Sequence, residues 1–128
     1  MKVEAVWKKN YQVTVNARQF QVPVDEAPEF NGEDTGMMPT ELFLSSLASC
    51  FCLALVYAAS KTSVEIRDMK VDVTGERGSK NFLFSKCIVE VKSSLASNSL
   101  KHLVDTAKQY CFVTNTITRS CPIEYSIN

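Results

Sequence analysis

The stretch "PTELFLSSLASCFCLALVYAAS", Pro39 to Ser60, decides how this chain is read. From Leu42 to Ala59, eighteen successive residues carry no charge, and two of them are cysteines, Cys50 and Cys52. Pro39 suits a first helical position, and Glu41 suits the positive end of the helix dipole. By length alone the run reaches the roughly 18 to 20 residues of a membrane span. Ser45, Ser46 and Ser49 lie inside it, and its flanks, Glu41 and Lys61, show neither a basic bias nor an aromatic belt. A helix apolar all round is equally a core helix covered on every side. The core helix is the expectation, with no membrane partner.

The flanking sequence supplies cover for such a helix. Val3, Ala5 and Trp7 alternate with polar residues, as do Tyr11, Val13 and Val15, and then Phe20, Val22 and Val24. Period two predicts three half-buried strands, with a hairpin turn at Asn16-Ala17. Pro23 places the third strand at an edge. Asp25 to Met38 reads as a long polar loop, of a length often associated with function. Beyond the helix, Val64 to Glu76 and Asn81 to Lys92 read as a hairpin turning through "GERGSK". Ser97-Asn98-Ser99 offers an N-cap. Leu100, Leu103, Val104, Ala107 and Cys111 then form one helical stripe, and "TRSCPIEYSIN" predicts a last strand. The expected order is β-β-β-α-β-β-α-β, an α+β fold with antiparallel sheet in one domain spanning residues 1–128.

Composition excludes several function classes. Fourteen basic residues balance fourteen acidic ones, so no charge field recommends nucleic acid as a partner. Five cysteines do not pair off into a secreted framework, and "MKVEAVWKKNYQVTV" lacks the apolar core of a secretory leader. A cytoplasmic protein with free, catalytic or redox-sensing thiols is expected. Cys50 and Cys52 point in different directions on a helix, which makes a poor metal clamp, so no metal is expected.

Cys50 and Cys111 are the candidate site residues. Cys50 is flanked by small residues, including Ser49 and Ala54, that let another backbone approach. Cys111 closes the stripe of the second helix, and antiparallel packing of the two helices would allow the sulfurs to meet. Packing is the bland alternative, because free cysteine commonly fills space in a core. Cys52, Cys87 and Cys121 are read as packing residues, His102 as a solvated surface histidine, and Met37-Met38 as cover for a core.

Two segments, "PTELFLSSLASCFCLAL" and "AKQYCFVTNTI", resemble the family of osmotically inducible protein C and the organic hydroperoxide resistance proteins. The resemblance extends over essentially the whole chain. It implies an intertwined homodimer with sheets wrapped around buried helices. It also implies a thiol-dependent peroxidase for organic hydroperoxides, with Cys50 peroxidatic and Cys111 resolving through an intramolecular disulfide. No cofactor is implied beyond an external dithiol reductant, such as a lipoyl protein. The chain differs from the family's peroxidases in two places. Thr40 stands where they carry Glu, with Glu41 nine residues before Cys50 and about 180° round the helix. No Arg follows in the first hairpin except Arg18, just after the turn. This pattern is closer to the family's less characterised Pro-x-Glu-Leu branch. The alternatives are a non-enzymatic thiol sensor or binder of small apolar ligands, and a thioesterase-like α+β dimer that needs no cysteine at position 50.

Overall fold

In a computed structural model that describes residues 1–128, the decisive run forms one helix, α1 (Pro39–Thr62). Its start is capped as the sequence suggests. The Met38 amide donates to Glu41 Oε2 at 2.9 Å, so the carboxylate three positions into the helix reaches back to satisfy an orphan donor. Its end is a left-handed stop. Ser63 takes φ 54°, and the Val64 amide donates to the Ala59 carbonyl at 3.1 Å. Ser49 Oγ turns inward to its own helix, donating to the Ser45 carbonyl at 2.8 Å. Leu47, Phe51, Ala54, Leu55, Ala58 and Ala59 are buried, which is the i, i+4, i+7, i+8 stripe of a helix packed on one side. The opposite face is apolar but open, with Leu53 68% and Tyr57 47% exposed. The helix is long and apolar enough to cross a membrane, yet one side of it forms the core of this chain.

The chain divides into two units, Met1–Phe43 and Leu44–Asn128. The first holds β1 (Glu4–Lys9), β2 (Gln12–Ala17) and β3 (Phe20–Val24), an antiparallel sheet in the order β1-β2-β3. The second turn falls at Arg18 (φ 54°), two residues beyond the expected Asn16-Ala17. Pro23 lies on the edge strand β3 as expected, opposite Thr14. β1 is exposed along its whole length rather than half-buried, because no layer of this unit covers either of its faces.

The Asp25–Met38 loop is tightly organised around one carboxylate. Asp25 is 1% exposed. It accepts from the amides of Glu26 (2.8 Å), Glu33 (3.2 Å) and Thr35 (3.2 Å), and from Thr35 Oγ1 (2.7 Å). Four donors satisfy a buried charge that would otherwise be costly. Gly32 makes the winding possible, since a Cβ there would lie 1.7 Å from the Glu26 carbonyl oxygen. The loop returns beside its own start, where Val24 bridges Met37.

The second unit pairs β4 (Lys70–Arg77) with β5 (Phe84–Lys92). Val71 faces Val91, Val73 faces Val89, and Gly75 faces Cys87. The inward side chains of this register pack on the buried stripe of α1. β4 starts at Lys70 rather than Val64, but Val64, Ile66 and Met69 still reach the core. Asp68 fastens the approach to β4 by accepting from the Ser94 amide (2.8 Å) and hydroxyl (2.7 Å), just past the end of β5. α2 (Ser97–Ala107) buries Leu103 and Ala107. Ser97 is its first residue, and Ala96 holds the cap position without a side-chain bond.

The expected last strand is not formed. Residues Phe112–Thr118 make a third helix, α3, and Cys121 to Asn128 have no regular structure. Ile123, Tyr125 and Ile127 do alternate, but they are 75%, 90% and 100% exposed. A strand needs a neighbour for its amides and carbonyls, and none in this chain lies beside them. The fold class, α+β with antiparallel sheets, is as read from the sequence.

Two outcomes test this account. Leu55 is fully buried, so Leu55→Ala is expected to lower stability by about 2–5 kcal/mol in urea unfolding. The hydroxyl of Thr35, with the amides of Glu26, Thr35 and Glu33, holds the Asp25 carboxyl below its ordinary value of 3.8. A carboxylate lowered on folding stabilises above its unfolded value and loses that contribution as pH falls through the lower folded value. Unfolding curves are therefore expected to weaken below about pH 3.8 in the wild type, and Asp25→Asn should flatten that part of the profile.

Candidate thiol site

Cys50 lies on α1 at the margin of its buried stripe. One turn before it is Leu47 and one turn after it is Ala54, both buried. Cys50 itself is half-buried and packs against the core cluster from the side. Cys52 is also half-buried, but the helix turns it some 200° away from Cys50.

Cys111 is placed differently from the sequence reading. α2 ends at Ala107, and the Tyr110 amide donates to the Ala107 carbonyl in the turn that follows. Cys111 is then the residue before α3, with φ −78° and ψ 101°. Its burial is as the apolar stripe suggested, because its side chain has no exposure. It belongs to the same cluster as Leu47, Phe51, Leu55 and Leu103. Both candidate cysteines therefore meet one apolar core, one inside it and one at its rim. Both are free thiols, as are Cys52, Cys87 and Cys121.

The polar contact to Cys111 comes from Thr114, whose Oγ1 donates to Cys111 Sγ at 2.9 Å. Sequence reading gave Thr114 no role of its own. The available signal was its position, three residues after the cysteine and so on the same face once that segment is helical. The sequence reading assigned no element to residues 112–117, so that face was not considered.

A cavity of about 280 Å³ adjoins this contact. Leu47 of α1, Phe84, Cys87 and Val89 of β5, and Thr114 and Ile117 of α3 line it. Gly75 helps shape the wall, since a Cβ there would lie 2.6 Å from the Phe84 ring. Cys87 is thus a wall residue as well as a core contact. Asp25 is the buried charged residue of the chain, and it belongs to the first unit. In the second unit the cavity's lining also includes Ser85, Thr118 and the exposed Lys86.

The charged residues near the two sequence differences have local partners. Glu41 accepts from the Met38 amide. The guanidinium of Arg18 lies 5.1 Å from the centre of the Phe20 ring. His102 is exposed on α2, Met37 is 45% exposed, and no group of three or more His, Cys, Asp or Glu is placed to hold a metal ion.

The family model described as "OsmC-like protein" matches residues 32–126, which include both candidate cysteines. The chain belongs to the OsmC-like family. It is 32% identical over 92 residues to an uncharacterized protein of Methanocaldococcus jannaschii, covering 70% of this chain and 48% of that protein. The chain thus spans about half the length of the curated relative it matches. The OsmC-like protein of Mycoplasma pneumoniae superposes with a TM-score of 0.77 at 23% identity, over 92% of this chain and 86% of that one. An organic hydroperoxide resistance protein OsmC of Legionella pneumophila superposes with a TM-score of 0.71 at 21% identity, over 92% and 88%. These likenesses show a shared OsmC-like fold.

Reactivity of a thiol follows its access as well as its thiolate character. Native protein treated briefly with iodoacetamide is expected to be labelled first at exposed Cys121 and last at buried Cys111, as read by peptide mass mapping.

Proposed function

We propose that this OsmC-like chain is a thiol-dependent peroxidase that reduces organic hydroperoxides and serves in the response to oxidative stress. The observation that carries the reading is the packing of Cys50 and Cys111 on one apolar cluster, with Cys50 at the rim and Cys111 inside. The rim thiol is half-buried, while the inner one has no exposure.

The chemistry needs only these two sulfurs and an external dithiol. The Cys50 thiolate attacks the terminal oxygen of the hydroperoxide. The O–O bond breaks, and the leaving alkoxide takes a proton to become the alcohol. Cys50 is left as a sulfenic acid. Cys111 then attacks the Cys50 sulfur, an S–S bond forms, and the hydroxyl leaves as water. The two thiols supply the two electrons. A dithiol such as a lipoyl protein restores both by exchange. The cavity beside Leu47 offers apolar room for the organic part of a small hydroperoxide.

In this reading the working form is a cytoplasmic homodimer. The open apolar face of α1 and the uncovered strand β1 support it, since exposed apolar area of this kind marks an interaction surface.

One observation favours a second reading. Glu41 and Arg18 have partners of their own, and neither stands at the position where the family's peroxidases carry the corresponding charge. A thiolate without such help oxidises slowly and stoichiometrically, as in a sensor or an apolar-ligand binder.

The reduced protein, mixed with a slight excess of cumene hydroperoxide, is expected to lose two thiols and to yield a Cys50–Cys111 linked peptide. Turnover with a dithiol should follow and should fall to background in Cys50→Ser. Full turnover in Cys50→Ser would remove the peroxidase reading. Oxidation no faster than that of a free thiol would leave the sensor or binder.

A further inference from the structure

α3 carries three threonines, and they do not behave alike. Thr116 Oγ1 donates to the Phe112 carbonyl at 2.8 Å, and Thr118 Oγ1 donates to the Thr114 carbonyl at 2.8 Å. Both bond back to the carbonyl four residues earlier, the ordinary habit of a helical hydroxyl. Thr114 instead directs its hydroxyl three residues back, to Cys111 Sγ at 2.9 Å. The sulfur it meets has no exposure and sits among Leu47, Phe51, Leu55 and Leu103. Water does not reach that sulfur, and no buried charged side chain lies in this unit. Thr114 also lines the cavity.

We infer that Thr114 is the hydrogen-bond donor that sustains Cys111 as a thiolate nucleophile. Its place in catalysis rests on the peroxidase reading above, while its effect on the sulfur does not. When Cys111 attacks the Cys50 sulfenic acid, its sulfur gives an electron pair to Cys50 Sγ, the S–O bond breaks, and hydroxide leaves to become water. Before that step the negative charge resides on a sulfur in apolar surroundings. A hydrogen bond to a charged group there is worth more than one to a neutral thiol. When the disulfide is reduced and Cys111 leaves as the thiolate, the same hydroxyl receives it.

The test measures the sulfur directly, in a Cys50→Ser background that removes the peroxidatic thiol. Hydroxyethyl disulfide is the probe, used at concentrations where the rate stays proportional to probe, so that opening of the buried site does not limit it. Cys111 attacks it, mercaptoethanol leaves, and peptide mass mapping gives the rate of mixed-disulfide formation at Cys111. Thr114→Val keeps the shape and removes the donor, and it is expected to slow that rate by roughly tenfold. Thr114→Ser keeps the donor and loses only a methyl, and it is expected to hold the rate near that of the parent. A Thr114 that served packing alone would do the opposite. The isosteric Thr114→Val would leave the rate unchanged, and Thr114→Ser, which loses a methyl, would loosen the site and speed exchange at Cys111. A Thr114→Val rate equal to or above the parent's, or a Thr114→Ser rate slowed as much as that of Thr114→Val, would overturn the inference. Loss of hydroperoxide oxidation at Cys50 in the wild type would instead count against the peroxidase reading, which this exchange assay does not use.

Discussion

The second unit depends on the burial of one face of a helix that is apolar on all faces. Leu47, Phe51, Ala54, Leu55, Ala58 and Ala59 are removed from water by α1 lying on the inner face of β4 and β5, with Leu103, Ala107 and Cys111 closing the cluster. Burial of this kind is the dominant favourable term in folding and is roughly proportional to apolar area. The small residues of the stripe, three alanines in six, let neighbouring elements come close to the α1 backbone. That closeness allows a cysteine at the stripe's margin and a cysteine from a distant turn to share one cluster.

The same constraint explains how polar groups are handled. Ser49 and Ser60 on α1 are satisfied by their own helix, and Glu41 is spent on the helix start. The first unit holds its buried charge in a cage of three amides and a hydroxyl around Asp25. In the second unit the polar contact to the buried sulfur is a single hydroxyl. A site with so little polar furniture depends on each donor it has, and the chemistry proposed for it requires no metal or bound cofactor.

Much of the fold was legible in the sequence because its signals are local. The eighteen uncharged residues from Leu42 to Ala59 predicted α1, and Pro39 and Glu41 predicted its start. Alternation gave the first three strands, and Pro23 gave the edge. Where local signals misled, a neighbour was missing or a break was unmarked. Ile123, Tyr125 and Ile127 alternate like a strand, but pairing is supplied by another strand and not by the pattern. The stripe through Cys111 continues across a turn at Lys108 to Tyr110 that no proline or glycine announces.

By itself, then, the sequence determined the fold class, the central helix and its cap, the two cysteines of interest and the family, because periodicity and motif spacing are properties of the chain alone. Only the tertiary structure decided that Cys111 precedes a third helix, that it is wholly buried while Cys50 stays at the rim, that Cys87 walls a cavity, and that Thr114 turns its hydroxyl to sulfur. Those facts depend on which elements pack together, and burial and hydrogen-bond direction exist only once they have.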